Sequence, residues 1–221
     1  MTDFAELRER MVERQIAARG IRDPRLLDAL RQVPRELFVS ASHGERAYGD
    51  YPLPIEAGQT ISQPYIVALM IEAAGIKLGD RVLEVGAGSG YAAAVMSRIA
   101  AEVTAIERKP ELAAIATERM ARLGYGNVTI VEGDGTRGWP DGAPYDAILA
   151  AASGSHVPQP LGDQLVEGGR LVMPVGSQAW AQTLVKLTRL ADGSTERENL
   201  GGVRFVPLIG EQGFTDSGPR S

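Results

Sequence analysis

The chain has 221 residues and a formal net charge of −5, with no cysteine, two histidines and 26 glycines. Lacking cysteine, it can form no disulfide, thiolate zinc site, iron–sulfur cluster or cysteine nucleophile. His43 and His156, far apart in sequence, make a poor start for a histidine metal site. The acidic balance argues against a dedicated nucleic-acid binder, which usually carries a basic face. The opening residues MTDFAELRERMVERQ are charged throughout, and nowhere do about 18 apolar residues run together. The expectation is a soluble, cytoplasmic protein, with a monomer as the default.

Residues 3 to about 33 predict two short helices. Asp3 is placed to cap the first, which carries Phe4, Leu7 and Met11 on one face. Asp23 and Pro24 open the second as N-cap and first helical residue, and Leu26, Leu27, Leu30 and Val33 form its stripe before Pro34. Residues 34–62 read as an ordered irregular loop rich in Pro, Gly and Tyr. Helix resumes from Pro64 to about Ala74.

From residue 81 strands and helices alternate. Strands are expected at Arg81–Val85, Val103–Ile106, Val128–Val131, Ala147–Ala150 and Arg170–Pro174. An Ala-rich helix to about Ala100 and a second from Pro110 to Leu123 lie between them. Thr183–Leu190 and Val203–Leu208 follow as strands around the Asp192-Gly193-Ser194 turn, which predicts an antiparallel end. Near-continuous apolar strands alternating with helices imply a parallel sheet covered on both faces. The tail from Thr215 is polar and expected to fray.

Gly86, Gly88 and Gly90 lie where the first of these strands turns into a helix. The dinucleotide fingerprint needs glycine at 91, where Tyr91 stands, and the tighter run suits a nucleoside without pyrophosphate, commonly S-adenosylmethionine. Glu107, at the tip of the next strand, is placed to accept the ribose hydroxyls. Asp134 and Gly135, after the third strand, are placed to read the adenine amino group. A glycine loop alone is usually an ordinary turn; three such features at successive strand ends make that the minority reading. Glu84 either holds the amino end of the methionine or caps backbone groups.

The acceptor is narrowed by absences. Cytosine C5 methylation needs a cysteine. Adenine amino-methylation usually uses an Asn/Asp-Pro-Pro-aromatic loop where this chain has Ala150-Ala151-Ala152-Ser153-Gly154-Ser155-His156. Catechol-type transfer needs a metal held by an acidic cluster, and none is evident. A carboxylate acceptor fits, because a pKa of about 4 leaves it ionised without a general base.

Here the sequence resembles the protein-L-isoaspartate O-methyltransferase family, from about Met11 to Gly213. The resemblance is carried by Val33-Pro34-Arg35-Glu36-Leu37-Phe38-Val39, Tyr51-Pro52-Leu53-Pro54-Ile55, Gly58-Gln59-Thr60-Ile61-Ser62-Gln63-Pro64-Tyr65, the glycine loop, Gly133-Asp134-Gly135 and Val203-Arg204-Phe205-Val206-Pro207-Leu208. The Gln-Thr-Ile-Ser-Gln-Pro block is the specific part, since related methyltransferases share the glycine loop. The resemblance implies methyl transfer from S-adenosylmethionine to the α-carboxylate of L-isoaspartyl residues in damaged proteins and peptides, initiating repair through a succinimide. It implies an α/β, Rossmann-like methyltransferase sheet, mostly parallel with an antiparallel end, in one domain over 1–214. A helical and loop segment over 1–75 precedes the sheet core of 76–214, and a polar tail follows at 215–221.

By the same resemblance Ser62 is the active-site serine, Thr60 and Ile61 help line the cofactor, and Val206, Pro207 and Leu208 supply backbone edges and an apolar wall for the substrate. From its residues alone, Ser62 reads as an N-cap for the helix near Pro64, and 206–208 as core strand. No metal, nucleic-acid partner or membrane is implied. The chain departs from the family pattern at Ala87, Ala92 and Ala93, and at Ala151 and Ser153–His156, where His156 reads as a surface residue. The altered 151–156 loop motivates an alternative, an aspartyl O-methyltransferase dedicated to one ribosomal peptide.

Overall fold

The computed structural model describes residues 2–177 and 181–216. The N-terminal helices start where their caps require. The Asp3 carboxylate accepts from Ala5 N and Glu6 N at 3.0 and 3.1 Å, opening α1 (Phe4–Arg10). The chain continues through a π-helical stretch, Met11–Ile16, and a short 3-10 turn that ends at Gly20. Asp23 accepts from Arg25 N at 2.9 Å and, with Pro24 in the first turn, opens α2 (Pro24–Gln32).

The expected irregular loop of 34–62 holds more structure than its composition suggests. It contains 3-10 turns at Arg35–Phe38 and Ala41–Arg46, then an antiparallel hairpin of β1 (Leu53–Pro54) and β2 (Thr60–Ile61), with Leu53 opposite Ile61. Strands of two residues carry too little alternation to be read from sequence. α3 (Pro64–Ala74) has the expected bounds and ends at Gly75 in the left-handed region.

The sheet follows: β3 (Arg81–Val85), α4 (Tyr91–Ser97), β4 (Glu102–Glu107), α5 (Pro110–Leu123), β5 (Val128–Glu132), β6 (Tyr145–Ala150), α6 (Gln159–Asp163), β7 (Leu165–Gly176), β8 (Gln182–Arg189) and β9 (Thr195–Val203). Its order is β5-β4-β3-β6-β7-β8-β9, parallel as far as β7 and antiparallel across β8 and β9. This is the expected Rossmann-like methyltransferase sheet. Between β3 and β6 the strand order reverses, which makes their carboxyl ends the natural ligand site.

Three expectations are corrected. The Ala-rich helix stops at Ser97, and a turn carries the chain through Ala100. Val203–Leu208 is not a strand: the last strand is the polar Thr195–Val203, held by its backbone ladder to β8 at the exposed edge, where apolar alternation is not needed. Residues 204–208 leave the sheet and bridge to Ser153 through Pro207. Of the tail, Thr215 and Asp216 are placed beside the cavity described below, and the rest lies outside the described residues.

Strand residues alternate between two buried clusters. Val82, Ala147, Leu149 and Val172 pack with α2, α3, α4 and the 3-10 turn holding Phe38. Leu83, Ile148, Ala150 and Leu171 face the other side, against Leu161 of α6 and Leu208. The N-terminal segment and the sheet thus share one core, which fixes the 53–62 hairpin over the strand ends.

Candidate active site

A cavity of about 420 Å³ opens at the carboxyl ends of β3, β4 and β6. Its floor is the loop after β3, one wall comes from α3 and the β2 strand, and the other from residues 206–209 with Thr215 and Asp216.

The loop after β3 is pinned by backbone bonds: Gly86 N and Ala87 N both donate to Ile106 O, at 2.9 and 3.0 Å. Gly86, Gly88 and Gly90 all have positive φ. Gly90 is required by its backbone conformation, and its bare Cα also gives the end of the Met120 side chain room. Its φ is 83°, and a Cβ there would sit 2.7 Å from Met120 Cε on α5. Gly135 is required by close approach, since its Cβ would lie 2.4 Å from Val85 Cγ1.

Besides Asp216, two carboxylates line the cavity. Glu107, ending β4, accepts from Gly88 N at Oε2 and from Lys109 N at Oε1, both at 2.9 Å. These bonds orient it and leave lone pairs on both oxygens. Glu84 lies on the buried face of β3 with 2 % exposure, and its Oε2 has no hydrogen-bond partner. Burial, and then the nearby Glu107, push its carboxyl up to about 8. An unpartnered, buried carboxylate oxygen on a ligand cavity suits a cationic group such as an ammonium. The bare glycine backbone, the oriented Glu107 and the orphaned Glu84 oxygen fit an aminoacyl nucleoside cofactor.

On the opposite side Thr60, Ile61 and Ser62 line the cavity. The N-cap of α3 is Gln63, with no side-chain cap bond, so Ser62 does not cap that helix. The Ser62 hydroxyl has no hydrogen-bond partner among the described residues, while its backbone carbonyl accepts from Arg35 Nη2 at 2.7 Å. Val206, Pro207 and Leu208 also line the cavity. They reach it from an extended segment held by Ser153, which donates from N to Val206 O and accepts at O from Leu208 N, both 2.8 Å.

Of the residues expected at the site, Thr60, Ile61, Ser62, Glu84, Gly86, Gly88, Glu107, Gly135 and 206–208 converge on this cavity. Gly90 and Asp134 do not line it. Gly90 instead allows α5 to approach the loop. Asp134 ties two loops: its Oδ1 accepts from Thr136 N and Oγ1, and its Oδ2 from Glu211 N. Burial works against its ionised form, but the bonds from Glu211 and Thr136 outweigh it and hold the carboxyl below its ordinary value. Residues not foreseen include Gln59, Ile209 and the pair Arg108–Asp216, which meet at 2.9 Å beside the cavity. Arg108 adjoins Glu107 and was within reach of sequence reasoning; Asp216 lies in a segment with no periodic signal. His156 is exposed, and among the described residues its ring bonds only Ser155 Oγ, as a surface residue should.

Comparison with known proteins gives a consistent result. The family model described as Protein-L-isoaspartate(D-aspartate) O-methyltransferase (PCMT) matches residues 6–213. A protein-L-isoaspartate O-methyltransferase 1 of Rhodopseudomonas palustris (strain HaA2) is 60% identical over 218 residues, covering 99% of this chain and 89% of that protein. A protein-L-isoaspartate O-methyltransferase 2 of Pelobacter propionicus is 56% identical, covering 94% of this chain and 92% of its own length. Among solved structures, a protein-L-isoaspartate O-methyltransferase superposes with a TM-score of 0.86 at 32% identity, over 93% of this chain and 67% of that one. A beta-aspartate methyltransferase (PCMT) from Plasmodium falciparum, in complex with S-adenosyl-L-homocysteine, gives a TM-score of 0.79 at 28% identity, over 91% of this chain and 98% of that one.

Proposed function

The chain belongs to the protein-L-isoaspartate(D-aspartate) O-methyltransferase family, and from that premise we propose how its own residues perform the family's reaction. It is an S-adenosylmethionine-dependent enzyme that methylates L-isoaspartyl residues and so initiates their repair. The alternative of a dedicated ribosomal-peptide enzyme is not favoured, because relatives at 51–60% identity over nearly the whole chain bear the repair-enzyme name.

When bound, S-adenosylmethionine supplies an electrophilic sulfonium methyl, whose C–S bond breaks as an oxygen of the isoaspartyl α-carboxylate bonds to the carbon. The acceptor arrives ionised, so the protein's task is positioning and exclusion of water. Glu84 holds the ammonium of the methionine portion. Glu107, fixed by Gly88 and Lys109, accepts the ribose hydroxyls, and Gly86, Gly88 and Gly135 leave room for the nucleoside with Thr60 and Ile61 beside it. Ser62 donates its free hydroxyl to one oxygen of the acceptor carboxylate and holds the other in line, while Val206, Pro207 and Leu208 wall the substrate peptide. Residues 1–214 work as one domain, and the enzyme acts as a cytoplasmic monomer without a nucleic-acid partner. A net charge of −5 supports the absence of a nucleic-acid partner. No helix of the described residues is long and apolar enough to cross a membrane.

The observation that carries these assignments is the convergence on one cavity of an orphaned Glu84 carboxylate oxygen and a Ser62 hydroxyl with no hydrogen-bond partner among the described residues. Turnover and cofactor affinity separate the roles. Ser62→Ala should lower kcat by about tenfold or more with S-adenosylmethionine affinity within a few-fold. Loss of cofactor binding in that variant would make Ser62 a structural residue.

A further inference from the structure

Arg35 is completely buried, at 0 % exposure, in a 3-10 turn remote in sequence from every cavity-lining residue. No carboxylate pairs with it among the described residues. A buried charge without a counter-ion is costly to keep; here three neighbours offset it in part, while Nη1 has no hydrogen-bond partner among the described residues. Nε donates to Ala47 O at 2.7 Å, Nη2 donates to Ser62 O at 2.7 Å, and the guanidinium lies over the Tyr91 ring at 4.7 Å. Tyr91 is the first residue of α4, directly after Gly90. One planar group therefore touches the backbone of the acceptor-side serine and the helix that grows out of the glycine loop.

We propose that Arg35 is a positioning residue for methyl transfer, fixing Ser62 relative to the glycine loop by its bond to the Ser62 carbonyl and its cation–π contact with Tyr91. Among the described residues no other side chain holds Ser62: it caps no helix, and its hydroxyl makes no hydrogen bond. An in-line displacement is sensitive to errors of about 1 Å in placement, so a carbonyl held from a rigid, buried fork sets the hydroxyl where a carboxylate can use it. Lysine cannot replace the fork, because one compact ammonium cannot reach both carbonyls from a position over the ring. The inference rests on the assignment of Ser62 given above.

The test is a cycle of four proteins: wild type, Arg35→Lys, Ser62→Ala and the double variant. Each is assayed with an isoaspartyl peptide for kcat and KM, with S-adenosylmethionine affinity by calorimetry and folding by a cooperative melt. Both single variants should lose about tenfold or more in kcat with cofactor affinity within about threefold. The double variant should be no slower than the slower single by more than about twofold, because the two residues act through one interaction. Unchanged kcat per folded molecule in Arg35→Lys overturns the inference. So does a double variant whose loss is the product of the single losses, as for a residue that only supports the fold. If Ser62→Ala alone leaves kcat unchanged, the Ser62 assignment itself fails and takes this inference with it. Should Arg35→Lys not fold, the neutral Arg35→Gln takes its place in the cycle; if neither folds, Arg35 belongs to the fold alone and the proposal is wrong.

Discussion

At the scale of single residues, Glu84 gives up most to the site. Its folded-state carboxyl titrates near 8 rather than at the ordinary 4.5, because burial and then Glu107 disfavour the charge. The ligand-free protein therefore binds that proton more tightly than the unfolded chain does. The stability Glu84 contributes is complete below 4.5 and is lost as pH rises to about 8. Glu84→Gln should accordingly melt higher than wild type at about pH 8.5, with the gap closing as pH falls toward about 5. The same variant should weaken S-adenosylmethionine binding by ~10- to 100-fold, the worth of a charge-assisted bond. Identical melting at both pH values would contradict the burial account. Glu84 was legible in sequence only as two equal alternatives, because burial of one carboxylate oxygen is a property of packing. Gly90 shows the opposite limit. Its presence in the loop was legible, but its reason was not: a side chain there meets Met120, on a helix that begins 20 residues later. Gly90→Ala should cost about 1–3 kcal/mol in chemical unfolding through backbone strain at its positive φ.

At the scale of elements, two short, weakly patterned segments complete a cavity whose floor is regular structure. The helices α2, α3 and α5 begin where Asp23-Pro24, Pro64 and Pro110 place them, although only Asp23 makes a side-chain cap bond. The β1–β2 hairpin and residues 204–216 carry no such signal, because long-range ties hold them. Arg119 illustrates one tie: from α5 it donates to Ser89 O at 2.8 Å and pairs with Glu56, in the turn between β1 and β2, at 3.5 Å. Asp134 is another, reaching Glu211 N at 2.8 Å. The sequence places Asp134 at the sheet edge as an adenine contact; that both its oxygens also serve these loops depends on residues distant in sequence. Asp134→Ala should cost roughly 1–2 kcal/mol, as the loss of a capping carboxylate does. Cofactor affinity should fall several-fold with it, since the freed segment leads to Thr215 and Asp216. Undiminished affinity would show that the segment does not contribute to binding. By contrast Arg108–Asp216 is substantially exposed on both sides, and breaking it should move the melting temperature little.

At the scale of the whole molecule, the sheet order puts the cavity where the chain reverses direction, and alternating strand residues bury both faces. This architecture was readable from periodicity, except at the polar edge strand β9, which is held by backbone pairing rather than by side chains. The scarcity of cysteine and histidine fits the chemistry: cofactor and substrate bring the reacting groups, and the protein supplies bare backbone, carboxylates and a hydroxyl. What the fold alone cannot specify is the acceptor, since the sheet is common to many methyl transfers. The most direct measurement is transfer of labelled methyl from S-adenosylmethionine to matched peptides that differ only in one isoaspartyl or aspartyl residue. Labelling of the isoaspartyl peptide, with release of methanol as the ester closes and little or no labelling of its aspartyl twin, is the predicted result. Equal labelling of the two, or of neither, would contradict it.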